Sequence, residues 1–153
     1  MQVSKHGPLS EWPRTMLKLL IPIVEPHGAA LAAQYAAAMF LRHCACEVEL
    51  LEVLEPIDVG RASAFHSRSQ LQRREKRSML SGLLATRAIL ERAGVPCTSR
   101  RVFGEPAPTI AAYASQMQSD IVVIDASHVG LWRRFAMLAR LWQLTRKPVT
   151  MLR

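Results

Sequence analysis

Ile121-Val122-Val123-Ile124, followed by Asp125-Ala126-Ser127-His128, decides how this chain is read. Asp120 to Ile124 is apolar on both faces, as a central strand of a parallel sheet is. A helix follows soon after. In an α/β protein, ligands sit outside the carboxyl ends of such strands, so the turn after Ile124 is where a phosphate-binding loop belongs. That loop needs glycines, because backbone N–H groups must come close to the phosphates. Only Gly130 is present, and Asp125 puts a negative charge where an anion would sit. The layout is that of a nucleotide site, and the chemistry is not.

The same alternation of strand and helix runs outward in both directions. Leu17 to Val24 reads as a buried strand bounded by Glu25-Pro26-His27-Gly28, although Pro22 cannot donate to a ladder. Ala29 to Arg42 holds seven alanines, with Leu31, Tyr35 and Met39 at helical spacing, and so suits close packing on a sheet. Glu47 to Leu54 is a second strand, and Ile57 to Ser69 reads as a loop. Gln70 to Ala93 is a long helix with Met79, Leu80, Leu83, Leu84 and Leu90 turned inward, stopped by Gly94 and Pro96. Cys97 to Phe103 is less apolar and belongs at a sheet edge. Glu105 and Pro106 open a helix running to about Gln118, an acid at the positive end and a proline in the first turn. Leu131, Phe135, Leu138 and Trp142 make one stripe of a last helix, and Val149 to Leu152 is a final strand. Strands alternating with helices imply a parallel sheet with right-handed crossovers and helices on both faces. The expected fold is a single-domain, Rossmann-like α/β three-layer sandwich over residues 16–153, preceded by an extension of residues 1–15.

Composition removes several function classes. A chain of 153 residues, half of them hydrophobic, buries a core without needing a disulfide or a metal. Cys44 and Cys46 are separated by one residue, neither a disulfide framework nor a zinc pattern. Free thiols fit a cytoplasmic location. The first fifteen residues have no apolar signal region, and Gly28 to Leu41 is too short to span a bilayer, so no membrane partner is expected. His6, His27, His43, His66 and His128 show no i, i+4 pairing for a metal. Ser127 and His128 are neighbours on a short turn and form no nucleophile–base line, so no enzyme is expected. The formal net charge is +8, and Arg61 to Arg101 carries ten Arg or Lys against two Glu. Such a surface can attract nucleic acid, but no aromatic platform is interleaved with Arg73 to Arg77, and a solvated helix face is the favoured reading.

Three short segments carry a resemblance. Gly104-Glu105-Pro106-Ala107, Ser119-Asp120 leading into Ile121-Val-Val-Ile, and Lys147-Pro148-Val149 before the last strand stand in the order and at the spacing of the universal stress protein family. The chain resembles that family from Leu17 to Arg153. The resemblance implies a five-stranded parallel sheet of order 3-2-1-4-5, proline within the first strand, and dimerisation.

ATP-binding members of the family carry Gly-x-x-Gly, nine residues, then Gly-Ser or Gly-Thr. Placed on this sequence, the two loop glycines become Asp125 and His128, and the final pair becomes Leu138-Ala139. The acidic position at the end of the first strand becomes Val24, with Glu25 beside it. A β-carbon at His128 blocks close backbone approach. The expectation is weak or no ATP binding, no cofactor, and a degenerate cleft of Val24, Glu25, Asp125, His128, Leu138 and Ala139. The alternative is an anion- or nucleotide-binding module in which Arg133 and Arg134 stand in for the glycines. In the implied strand order Val149, Thr150, Met151 and Leu152 form an apolar edge, so a homodimer through this strand is expected, with a further protein partner.

Overall fold

The computed structural model describes residues 16–56 and 68–153. The extension 1–15 and most of the expected loop after Pro56, residues 57–67, lie outside the described residues. The element order is β1 (Leu17–Ile23), α1 (Ala30–Leu41), β2 (Cys46–Leu54), α2 (Arg68–Arg92), β3 (Cys97–Phe103), α3 (Pro106–Gln116), β4 (Ile121–Asp125), α4 (Leu131–Leu144) and β5 (Val149–Leu152). All neighbouring strands pair in parallel, and the sheet order is β3-β2-β1-β4-β5. This is the α/β fold expected from the strand–helix alternation and the strand order implied by the resemblance. Arg68 and Ser69, assigned to the loop from sequence, belong to α2.

Strand alternation divides the apolar residues between two cores. Leu19, Ile21, Ile23, Leu50 and Leu54 face α1 and α2, meeting the alanines of α1 and Met79 and Leu90 of α2. Leu20, Leu51, Val53, Val122 and Ile124 face α3 and α4, meeting Ile110, Ala114 and Leu141. Ala32, Ala33, Ala36 and Ala37 form the buried face of α1, and small side chains let this helix lie close on the sheet. Pro22 is tolerated because the β1–β4 register covers only Leu19 and Leu20, two residues short of it.

Two helical stripes depart from the sequence reading. On α2 the buried line is Met79, Gly82, Thr86 and Leu90, while Leu80 and Leu84 are exposed. On α4 only Leu141 is fully buried, with Met137 packed beside it, while Leu131, Trp132, Phe135 and Trp142 stand in solvent. The apolar stripe of α4 is a surface, because its neighbouring face, one residue back along each turn, is the one that meets the sheet. Among the described residues no helix is long and apolar enough to cross a membrane.

Candidate functional site

The cleft lies where the turns after β1 and β4 face each other, at the carboxyl ends of the central strands. Its geometry begins with a helix that cannot cap itself. The residue before α1 is Ala29, which has no side-chain acceptor. Two distant side chains supply the missing acceptors. Thr86 Oγ1 on α2 accepts from Ala29 N at 2.9 Å, and Asp125 Oδ2 accepts from Leu31 N at 2.8 Å. Asp125 Oδ1 accepts from Ser127 N at 3.0 Å and from the Ser127 hydroxyl. Asp125 therefore places its own carboxylate at the positive end of α1, the place a bound anion would take.

These contacts set the ionisation of Asp125. Burial alone would raise its pKa, but bonds from the Ser127 hydroxyl and from Ser127, Leu31 and Ala32 N–H groups outweigh it and hold the pKa below 3.8. A depressed folded-state pKa gives stability that is complete above the unfolded value, about 4, and is lost as pH falls through the folded one. We expect Asp125→Asn to lower the urea midpoint at pH 7 and to narrow the gap to wild type near pH 3. An equal gap at both pH values would refute this account.

The other expected residues divide into four groups. Val24, Glu25 and Arg133 line a cavity of about 60 Å³ together with Glu55, Pro106, Val129 and Met137. His128 packs against His27 across the cleft, ring centroids 4.1 Å apart, and Glu25 Oε2 is 4.0 Å from His27 Nδ1. Arg134 is occupied, its Nε donating to Val129 O at 2.5 Å and so holding the turn. Arg133, largely exposed, reaches Glu25 at 3.9 Å. Leu138 and Ala139 are not brought to the cleft. Met137, one residue earlier, does line the cavity, so what removes Leu138 and Ala139 is their place around the helix, about 100° and 200° from Met137.

Glu55, Val129 and Met137 are lining residues that sequence reasoning passed over. A second omission lies beside the site. Glu52, fully buried at the end of β2, pairs with Arg101 of β3, its register partner. The signal was present: a lone acid inside Leu50-Leu51-Glu52-Val53-Leu54. Two hollows are larger, one remote from the cleft and one beside it. One of about 480 Å³ sits at the amino ends of β1 to β3 and is lined by the ion pairs Lys18–Glu47 (3.8 Å) and Arg100–Glu49 (2.9 Å). The other, about 440 Å³, adjoins the cleft cavity, sharing Glu55, Pro106, Arg133 and Met137 with it, and opens along the α3–α4 seam beside Glu105 and Arg140. Among the described residues no group of three His, Cys, Asp or Glu could hold a metal ion.

The Universal stress protein family model matches residues 16–153. No curated protein matches the chain. Among solved structures, a universal stress protein family protein from Burkholderia pseudomallei is 19% identical, with a TM-score of 0.67 over 88% of this chain and 94% of its own. An Arabidopsis thaliana family protein with AMP bound is 16% identical, with a TM-score of 0.64 over 89% and 90%. The Archaeoglobus fulgidus universal stress protein in complex with dAMP is 16% identical, with a TM-score of 0.59 over 90% and 98%.

Proposed function

The chain belongs to the universal stress protein family, and on that premise we propose a non-catalytic, cytoplasmic, homodimeric member that acts by protein association and does not take ATP. The observation that carries this reading is the filled cleft. Between the β1 and β4 turns the cavity is about 60 Å³, far below the roughly 300–1,000 Å³ of small-molecule sites, and the Asp125 carboxylate already occupies the end of α1, while the adjoining hollow of about 440 Å³ is lined by no residue of α1. Titration calorimetry with ATP and AMP tests it. No heat is expected at nucleotide concentrations of about 1 mM, whereas a micromolar Kd would overturn the reading.

A second reading has one specific support. Arg133 and Arg140 border the seam of about 440 Å³, and relatives of this fold have been captured with AMP and dAMP. An anion held there would use guanidinium groups in place of a glycine loop. Arg140 already pairs with Glu105 and Arg133 with Glu25, so such an anion must compete with carboxylates. Binding of AMP that is lost in Arg133→Ser would favour this reading over the first.

The β5 edge supports the proposed homodimer. Val149, Thr150, Met151 and Leu152 are only partly buried in the outermost strand β5. On α4, Arg133, Ala136 and Arg140 face α3, so Leu131, Phe135, Leu138 and Trp142 face away from it, toward the β5 edge. Antiparallel β5 pairing about a two-fold axis normal to the sheet sets the two α4 helices side by side with these stripes opposed. One interface then covers both the strand edge and the aromatic face. Sedimentation should give a dimer at tens of micromolar, weakened about tenfold by Phe135→Ser. A monomeric wild type at that concentration would refute the assembly.

A further inference from the structure

The first half of α2 and the end of edge strand β3 form a second surface, used by neither the cleft nor the dimer edge. Arg73, Arg74 and Arg77 are exposed there, and among the described residues no carboxylate pairs with them. Five other arginines are committed: Arg87 to Glu91, Arg100 to Glu49, Arg101 to Glu52, Arg133 to Glu25 and Arg140 to Glu105. Helical periodicity separates these cations from the one acid among them. At 100° per residue, Glu75 lies about 200° around the helix from Arg73, while Lys76, Arg77 and Arg74 fall within about 100° of it on either side. Glu75 is partly buried near Glu55, turned from the arginines, and burial together with that neighbouring charge raises its pKa.

The objection raised by the sequence was the lack of an aromatic platform. The fold supplies one from 30 residues along the chain from Arg73. Phe103, at the end of β3, is 53% exposed, and Lys76 Nζ lies 5.3 Å from its ring centroid. The surface thus reads, in order around the helix, Phe103, Lys76, Arg73 with Arg77, then Arg74. Arg73 and Arg77 are one turn apart, ~5–6 Å between Cβ atoms, so their guanidinium groups can engage successive phosphates of one strand. Lys76 lies over one face of the ring, so a base would stack on the ring's remaining exposed surface.

We propose that this surface binds single-stranded nucleic acid, phosphates on Arg73, Arg74 and Arg77 and a base on Phe103. A bilayer is the less suited occupant. The same helix face continues to the exposed Leu80 and Leu84, but two leucines and one ring give little apolar area for an interfacial helix.

The test is fluorescence polarisation of a labelled oligouridylate of about 20 nucleotides against the whole protein. Micromolar to tens-of-micromolar binding is expected near 50 mM salt. The slope of log K against log salt should be about −2, as three phosphate contacts give for a single strand. Arg73→Ser with Arg74→Ser and Arg77→Ser should weaken binding at least tenfold and flatten that slope, while the same three changes to Lys retain most of the affinity. Phe103→Ala should cost about tenfold on the single strand and nothing on duplex DNA of equal length. The proposal fails if wild type shows no binding at about 100 µM, if the triple serine variant binds as wild type does, or if Phe103→Ala weakens both nucleic acids equally. It also fails if the arginines are needed only for sedimentation with phosphatidylserine vesicles. All four side chains project from the surface, and the lysine variant separates loss of charge from loss of fold.

Discussion

Arg101→Ala is expected to lower the stability of this protein by about 2 kcal/mol, because it strips the partner from a fully buried carboxylate, the guanidinium itself being about a third exposed. Glu52 is fully buried on β2, and Arg101, its register partner on β3, is its only ion-pair partner among the described residues. Glu52 Oε2 is buried with no hydrogen-bond partner. Removing the guanidinium leaves a carboxyl group in an apolar layer with neither charge nor bond to offset its desolvation. The double variant Glu52→Leu with Arg101→Leu separates two explanations. If the pair contributes little beyond mutual compensation, replacing both with apolar groups returns stability to within about 1 kcal/mol of wild type. Urea unfolding of the two variants decides it, and an Arg101→Ala protein as stable as wild type would show that water or a shifted chain compensates Glu52.

The same pair also bears on register. β3 is an edge strand whose residues, apart from Cys97 and Val102, are exposed, so apolar burial specifies its alignment weakly. Two salt links tie it to β2 on opposite faces. Arg101 meets Glu52 on the α2 side, and Arg100 meets Glu49 on the α3 side, where the 2.9 Å contact is an ion pair and not a hydrogen bond. A one-residue slip would exchange these faces and break both links. In a strand reading Cys97-Thr-Ser-Arg-Arg-Val-Phe103, charge thus does for alignment what alternating apolar residues do in β1 and β2.

How much was legible in the sequence depended on which physical signal each feature left. The strand–helix alternation was legible because Leu19 to Ile23 and Ile121 to Ile124 are continuous apolar runs, as buried parallel strands are, and because Cys46 to Leu54 alternates at its start before turning mostly apolar. The strand order rested on the resemblance, since periodicity does not order strands. The cleft was half legible. Loss of the loop glycines is a local fact, but the occupation of the α1 terminus by Asp125 needs residues 94 positions apart and no motif records it. The faces of α2 and α4 were misread for a common reason. Counting large apolar residues selects Leu80, Leu84, Phe135 and Trp142, yet burial follows closeness of approach, which on α2 is set by Gly82 and Thr86. Phe103 beside Lys76 is the converse case, an aromatic platform that exists only once β3 lies along α2.

Gly82→Ala is expected to cost about 3 kcal/mol, the upper end for overpacking, because the added methyl meets backbone and not a side chain that can move. A Cβ at Gly82 would stand 2.3 Å from Pro26 O and 2.7 Å from Gly28 N. Gly28 makes the reciprocal contact: its Cβ would stand 2.5 Å from Gly82 O, and its φ of +80° adds strain of about 1–2 kcal/mol for any other residue. The two glycines press α2 against the turn between β1 and α1. Thr86 fastens the seam, donating to Gly82 O at 2.8 Å while accepting from Ala29 N. That turn carries Glu25 and His27, so backing α2 away would also separate His27 from His128 and Glu25 from Arg133 across the cleft. Gly130→Ala is the control. Nothing lies within 4 Å of its Cβ and its φ is −61°, so it should fall within about 0.5 kcal/mol of wild type. Equal denaturation midpoints for Gly82→Ala and Gly130→Ala would mean that α2 rides on the turn with room to spare, and that the cleft is positioned by Asp125 and Thr86 alone.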